Sequence, residues 1–187
     1  MVRGMQKGPP LLTDTAALFR QRDRARAGIR GDHRDSLFLQ DAAADEIEER
    51  LNEVNRTFTA PAVITPFPEI WTDRLPAARV LPDRDVLALD PEAHDLVIHA
   101  LCLHWSNDPV GQIVQCRRAL RPDGLFLAVL FGGRTLSELR ACLATAETVV
   151  RGGLSPRVLP MGEIRDLGAL LQRGGLALPV ADASLRG

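Results

Sequence analysis

The strongest hydrophobic pattern lies in the second half of the chain and predicts a strand, a helix and a second strand. An apolar run, residues 96–103 (LVIHALCL), is followed by a polar turn and a helix that begins at Asp108-Pro109. A turn at residues 121–124 (RPDG) leads into a second apolar run, residues 125–131 (LFLAVLF). Two apolar strands joined by a helix indicate adjacent parallel strands in a sheet covered on both faces.

Shorter elements are expected before this unit. Asp41 is placed to cap a helix that runs to about Asn55, because Ile47, Leu51 and Val54 fall on one helical face. Next come a strand over residues 61–67, a helical turn over residues 69–75, and two brief apolar segments at residues 79–81 and 86–89.

Two helices and one strand are expected after it. Thr135 and Glu138 have the spacing of a capping box, and the helix that they would begin ends at Gly152-Gly153. A second helix, marked by an apolar stripe from Ile164, stops at Gly174-Gly175 and leads into a strand candidate, residues 176–180.

Length and composition indicate a globular protein of one domain that is large enough to bury a core. The chain has 187 residues, 45% of them hydrophobic, and a formal net charge of −1, which gives no reason to expect nucleic-acid binding. No apolar stretch is long enough to span a membrane, and the N-terminus lacks the apolar core of a secretory signal. We therefore expect a cytoplasmic protein.

The N-terminal segment, residues 1–35, differs in composition from the α/β domain expected over residues 36–187. Arginines are concentrated in it at positions 20, 22, 24 and 26, with aspartates between and around them. The mixed charges favour a solvated helix or loose tail over a basic arm for an acidic partner.

The cysteines and histidines predict no metal centre. Cys102, Cys116 and Cys142 are far apart and odd in number, so we expect three buried, reduced thiols instead of a zinc site or disulfides. His99 lies in the middle of a predicted strand and is expected to be buried and hydrogen-bonded. His99 and His104 do not have the spacing of metal ligands.

Several segments together resemble the class I S-adenosylmethionine-dependent methyltransferase family. Residues 94–109 (HDLVIHALCLHWSNDP) resemble the fourth strand of that family and the following loop, and residues 120–133 (LRPDGLFLAVLFGG) resemble the turn and fifth strand. The segments LHWSNDP, FGGRTLSELR, GGLSPRVLP and IRDLGALLQRGG are similar to a narrower branch. That branch contains the malonyl-carrier-protein O-methyltransferase of biotin synthesis and the mitochondrial complex I assembly factor that hydroxylates an arginine.

The resemblance implies a fold, a cofactor and site residues. The implied fold is a three-layer α/β sandwich with a Rossmann-like sheet, and the implied cofactor is S-adenosylmethionine. The implied cofactor-binding positions are Thr65, Asp83, Asp85 and Leu101, and the implied substrate-pocket positions are His104 and Trp105. Because methyl transfer depends mainly on alignment and desolvation of the reactants, the pattern identifies no catalytic residue.

The chain departs from the family where the cofactor would bind. The family's first strand runs into a glycine-rich loop whose amides approach the cofactor, whereas this chain has Thr65-Pro66-Phe67-Pro68 and no glycine between positions 31 and 111. Only 28 residues run from Phe67 to His94, which predicts the loss or shortening of at least one helix. After Gly175 there is room for the sixth strand alone.

Two functions therefore remain open. The first is an S-adenosylmethionine-dependent methyltransferase-family protein with a degenerate cofactor site, whose substrate is a small molecule or a protein. The second is a non-catalytic relative that acts in respiratory-complex assembly through contacts with a protein partner. The loop at residues 65–68 is the feature that separates them.

Overall fold

The computed structural model describes residues 11–28, 37–155, 157–159 and 161–184. The chain divides into two compact units, Met1–Val129 and Leu130–Gly187. The expected boundary between residues 35 and 36 lies outside the described residues, so that division stays a prediction.

The first unit contains one parallel sheet of four strands. The strands are β1 (Pro61–Ile64), β2 (Arg79–Leu81), β3 (His94–Ala100) and β4 (Leu120–Val129), in the order β2-β1-β3-β4. The two strong apolar runs are therefore adjacent and parallel, as predicted. β4 begins earlier than expected, because the predicted turn at residues 121–124 is absorbed as an irregularity in the pairing with β3.

Three helices belong to the first unit: α1 (Thr15–Gly28), α2 (Phe38–Val54) and α3 (Pro109–Ala119). α3 begins as predicted, with Asp108 Oδ1 accepting a hydrogen bond of 2.8 Å from the amide of Gly111. The predicted start of α2 was wrong. That helix begins after Leu37, so Asp41 lies in its first turn and does not cap it.

α2 and α3 cover opposite faces of the sheet. On one face Ile47 of α2 packs with Val63, Ile98 and the buried Trp71 in the hydrophobic core. The neighbouring β3 residue, His99, points to the other face and contacts α3 through Gln112. This alternation of side chains along β3 produces the predicted three-layer sandwich.

The half of the sheet that contains β1 and β2 is short, as the residue count predicted. Between β1 and β3 the chain forms a 3₁₀ turn, Pro68–Ile70, and β2, and no α-helix occurs among residues 65–93, all of which are described. The apolar segment 86–89 is not a strand. Leu87 is buried there, whereas Val86 is 80% exposed.

The second unit contains α4 (Ser137–Arg151) and α5 (Ile164–Arg173). The predicted capping box was wrong: α4 begins after Leu136, and the Thr135 hydroxyl donates to the carbonyl of Gly132 instead of capping the helix. The ends of both helices at Gly152 and Gly174 were predicted correctly.

The predicted strand at residues 176–180 was also wrong. These residues form no strand and are described throughout, and Leu178 and Val180 are 93% and 87% exposed. An apolar run needs a neighbouring strand to satisfy its backbone, and Pro179 supplies no amide donor.

The cysteine prediction held for two of the three thiols. Cys102 and Cys116 are buried and free, but Cys142 is free and exposed on α4. The apolar stripe predicted for α4 is also largely exposed, since Leu139 is 47% and Val150 80% exposed. In the described part of the chain, no helix has the length and apolar character needed to cross a membrane.

Candidate functional site

The order of the strands locates a crevice at the carboxyl ends of β1, β2 and β3. β2 lies on one side of β1 and β3 on the other, so the direction in which successive parallel strands are added to the sheet reverses at β1. Open parallel α/β sheets bind ligands outside the carboxyl ends of their strands at such a point. The crevice is formed by the segments that follow the three strands, residues 65–67, 82–86 and 101–108.

The segment after β1 uses its polar groups internally. Thr65 is buried, and its amide donates to the Leu81 carbonyl at 2.9 Å. The amide of Phe67 donates to Thr65 Oγ1 at 3.1 Å, and Pro66 has no amide hydrogen. No amide of residues 65–67 is therefore left to bind a ligand.

The segment after β2 holds a buried ion pair. Arg22 of α1 bonds both carboxylate oxygens of Asp83, at 3.0 Å and 2.9 Å, and the two side chains are 9% and 8% exposed. Burial raises the pKa of Asp83, although the nearby Arg22 charge acts in the opposite direction. The Asp85 side chain is exposed, and its carbonyl accepts a hydrogen bond from Gln115 Nε2 at 3.0 Å.

The segment after β3 turns sharply. Leu101 is buried with a left-handed φ of 47°, and its amide donates to the Val129 carbonyl at 2.9 Å. A 3₁₀ turn, Leu103–Trp105, follows, with the rings of His104 and Trp105 5.2 Å apart. Burial lowers the pKa of His104 to about 4, and the positive charge of Arg22 acts in the same direction.

A buried chain of hydrogen bonds lies beneath the crevice. His99 Nε2 is 2.8 Å from Gln112 Oε1, and His99 Nδ1 is 3.2 Å from Cys102 Sγ. Gln112 Nε2 in turn donates to the Arg84 carbonyl at 3.0 Å. His99 is thus the buried, hydrogen-bonded histidine that the sequence predicted.

The pKa shifts of His99 and Cys102, the titratable groups in this chain of hydrogen bonds, do not suit catalysis. Burial lowers the pKa of His99 to about 4 and raises the pKa of the Cys102 thiol well above its ordinary value. A protonated thiol is a poor nucleophile, so Cys102 is not activated by its contact with His99. Among the described residues, no cluster of three or more His, Cys, Asp or Glu side chains could hold a metal ion.

Helix α1 lies across the crevice and contacts all three segments. The Arg26 side chain donates to the Pro66 carbonyl after β1, and Arg22 bonds Asp83 after β2. After β3, the amide side chain of Asn107 donates to Thr15 Oγ1 in the first turn of α1 at 3.3 Å, and it also bonds the backbone of Thr13, just before the helix, at 2.9 Å and 3.1 Å.

Sequence reasoning missed this helix as part of the site. The available signal was the spacing of Arg22 and Arg26, which places two cations on one face of a helix. The predicted solvated helix is correct for the secondary structure but wrong for Arg22, which is buried.

The space under α1 is too small for the implied cofactor. The cavity there is lined by α1 residues, among them Leu18 and Phe19, and by Asp83, Asp85 and Trp105. The cavity volume is about 20 Å³, which is room for about one water molecule. The residues of this conformation therefore do not fit S-adenosylmethionine.

Three of the six predicted site residues meet at this cavity and three do not. Asp83, Asp85 and Trp105 line it together with Cys102 and Gln112. The other three, Thr65, Leu101 and His104, lie in the same crevice but outside the cavity lining.

Comparisons with known proteins agree with this geometry. Residues 63–128 match the family model described as a methyltransferase domain. Over 75% of both chains, the fold resembles a SAM-dependent methyltransferase of Thermotoga maritima, described as a possible histamine N-methyltransferase, with a TM-score of 0.51 and 14% identity. The fold and its crevice define a Rossmann-like α/β protein of methyltransferase type.

Sequence comparison finds relatives that match over about half of this chain. The chain is 44% identical to the mitochondrial arginine-hydroxylase NDUFAF5 of Homo sapiens over 101 residues, 54% of this chain and 29% of that protein. It is 34% identical to the malonyl-acyl-carrier-protein O-methyltransferase of Xylella fastidiosa over 110 residues, 59% of this chain and 35% of that enzyme. The chain thus spans about a third of the length of these relatives. Over the matched residues the chain is similar to the class I S-adenosylmethionine-dependent methyltransferase family.

Proposed function

We propose that this protein has a degenerate S-adenosyl crevice at the carboxyl ends of β1, β2 and β3 and binds the cofactor weakly. The observation that carries the proposal is the segment after β1, where Pro66 lacks an amide hydrogen and the Phe67 amide already bonds Thr65. The similarity to methyltransferases supports the location of the crevice, and the segment after β1 supports weak binding of the cofactor.

Roles for individual residues belong to the same proposal. Thr65, Asp83, Asp85 and Leu101 are the proposed cofactor contacts, and His104 and Trp105 the proposed substrate pocket. The first group follows the ends of the three strands, and the second occupies the 3₁₀ turn after β3. We assign no chemical step to them, because the cofactor does not fit the crevice in this conformation.

The missing amide hydrogen bonds allow an order-of-magnitude figure for the loss of cofactor affinity. A hydrogen bond to a charged group contributes roughly 1.5–3 kcal/mol. The loss of two such bonds, about 4 kcal/mol, lowers an affinity roughly a thousandfold, which would weaken a micromolar ligand to about millimolar.

Calorimetric titration with S-adenosylhomocysteine tests the proposal. We expect no saturable heat at tens of micromolar ligand and saturation near the millimolar range by NMR, on the order of magnitude derived above. The matched variant Pro66→Gly/Phe67→Gly should bind more tightly, because it restores an amide donor and removes a bulky ring. A micromolar isotherm for the unaltered chain would contradict the degenerate site, and no binding at any concentration would contradict the site itself.

A second function is a non-catalytic one, in which the protein acts in respiratory-complex assembly through contacts with a protein partner. The exposed apolar side chains of the second unit favour it, among them Val149 at 81% and Leu154 at 70% exposed. Co-purification of respiratory subunits with the tagged chain, lost in Val149→Glu/Leu154→Glu but retained in Arg24→Gln, would support this function over the first.

The cellular compartment is proposed, not observed. We propose a cytoplasmic location, and the mitochondrial relatives make a mitochondrial location the alternative. Fractionation of cells that express the tagged chain distinguishes the two.

A further inference from the structure

We infer that α1 is an intramolecular lid whose Arg22 occupies the carboxylate of Asp83 that a ribose-containing ligand would otherwise use. The inference rests on the proposed function, since it takes a nucleoside-bearing ligand as the occupant of the crevice. α1 and the ligand compete for Asp83, so the helix must leave before the ligand can enter.

The position of α1 excludes a ligand. Leu18 and Phe19 form part of the lining of the space between the helix and the segments after β2 and β3, that space holds about one water, and the Asp83 side chain beside it is only 8% exposed. A nucleoside therefore cannot reach Asp83 while the helix stays in place.

The chemistry of the contact supports competition. A carboxylate can accept hydrogen bonds either from the guanidinium of Arg22 or from the two hydroxyls of a ribose. Arg22 now bonds both carboxylate oxygens, at 3.0 Å and 2.9 Å. A ribose diol would need the same two oxygens.

The ion pair between Arg22 and Asp83 leaves one guanidinium nitrogen without a hydrogen bond, which lowers the free energy needed to detach α1. Arg22 Nη2 is buried and has no hydrogen-bond partner among the described residues. A buried guanidinium that leaves a donor unsatisfied loses part of the energy that its ion pair supplies. Water would satisfy this donor once the helix detached.

The helix is held mainly by polar contacts. None of its apolar side chains belongs to the buried core, and Leu18 and Phe19 are only half-buried. Its attachments are Arg22 to Asp83, Arg26 to the Pro66 carbonyl, and Thr15 to Asn107, supplemented by the stacking of Arg84 on Phe19 at 4.3 Å. Elements with little buried apolar area open at low free energy.

Hydrogen exchange and ligand binding on the full chain test the lid. The variant Arg22→Gln removes the charge from the contact, and Arg24→Gln makes the same change on the exposed side of α1, where Arg24 reaches only Gln21. Adenosine and 2′,3′-dideoxyadenosine are the probes, because they differ only in the two ribose hydroxyls from which Asp83 would accept hydrogen bonds. The amides of β3 serve as the folding control.

In Arg22→Gln we expect the α1 amides to exchange roughly tenfold faster than in Arg24→Gln, with β3 protection unchanged. Adenosine should bind about tenfold more tightly to Arg22→Gln than to Arg24→Gln, because removing a competing closed state raises the apparent affinity. 2′,3′-Dideoxyadenosine should gain no affinity.

The contrary outcomes separate the lid from the proposed function. Unchanged α1 exchange in Arg22→Gln would overturn the lid, as would adenosine binding of equal strength to both variants. Absence of binding to every variant, despite faster α1 exchange, would overturn the proposed function and the competition with it. If β3 protection falls in Arg22→Gln, the same comparison in Asp83→Asn decides: faster α1 exchange supports the lid, and unchanged exchange overturns it.

Discussion

At the residue scale, His99 shows how a buried polar side chain is made compatible with a hydrophobic layer. It is fully buried, and each ring nitrogen has a partner, in Gln112 and Cys102. With Gln112 Nε2 committed to the Arg84 carbonyl, Gln112 Oε1 must accept from His99, which makes Nε2 the protonated nitrogen. The result is a neutral imidazole that joins β3 to α3.

This neutral imidazole should make the stability of the protein depend on pH. The folded pKa of His99 is about 4, below the ordinary histidine pKa of 6.5, so the unfolded chain binds more protons between these values. The contribution of His99 is complete above pH 6.5 and is lost as the pH falls towards 4. Between pH 7 and pH 5 it should reduce the free energy of unfolding by about 2 kcal/mol.

Urea unfolding at pH 7 and pH 5 measures the effect. The difference between the two pH values should be smaller in His99→Gln, because that side chain does not titrate. The pKa of His104 is also lowered to about 4, so His104→Gln should reduce the difference by a similar amount, and the double variant His99→Gln/His104→Gln should reduce it by the sum of the two. An unchanged pH dependence in His99→Gln would contradict the assignment.

At the scale of elements, the end of α4 depends on a left-handed residue. Gly152 has a φ of 67° and its amide donates to the Thr148 carbonyl at 3.1 Å, closing the helix. Gly153 follows it without a positive φ, and neither glycine has an atom within 4 Å of an added Cβ.

The two glycines give a matched pair of variants. Gly152→Ala should lower the free energy of unfolding by about 1 kcal/mol, because an L-residue is strained at this φ. Gly153→Ala should have a much smaller effect, since it meets no steric contact and no left-handed backbone. Thermal unfolding measures both, and equal shifts would show that conformation at Gly152 is not the cause.

Elements were predictable where local sequence decides them. The β3–α3–β4 unit and the Asp108 cap follow from apolar runs and a side chain three residues from its partner. The capping box at Thr135 failed because an alternative acceptor, the Gly132 carbonyl, was equally close in sequence. The site was predictable only in part, because the contact between Arg22 and Asp83 joins residues 61 apart and depends on where α1 docks.

At the scale of the molecule, exposed apolar side chains are unevenly distributed. In the second unit Val149 and Val150 are 81% and 80% exposed within one turn of α4, close in sequence to Leu154 at 70%. In the first unit Val86 is equally exposed, at 80%, without such neighbours in sequence. Clustered apolar surface binds apolar molecules, whereas scattered apolar residues are ordinary.

An environment-sensitive apolar dye should therefore report on the second unit. Dye fluorescence should fall by roughly half in Val149→Glu/Val150→Glu, because the charges break the cluster, and should stay near that of the unaltered chain in Val86→Glu. Circular dichroism confirms that all three proteins are folded. An equal decrease in both variants would indicate that the dye responds to exposed valines in general.

The length of β4 has a consequence for the backbone. β4 pairs with β3 on one side, and no strand among the described residues pairs with its other side. At the opposite edge β2 is three residues long, whereas β4 has ten, five of which form the uncharged run LFLAV. A long uncharged edge offers unpaired amides and carbonyls to any extended chain that meets it. We therefore expect β4 to be the strand edge at which two newly synthesised copies of this protein pair with each other if nothing covers it.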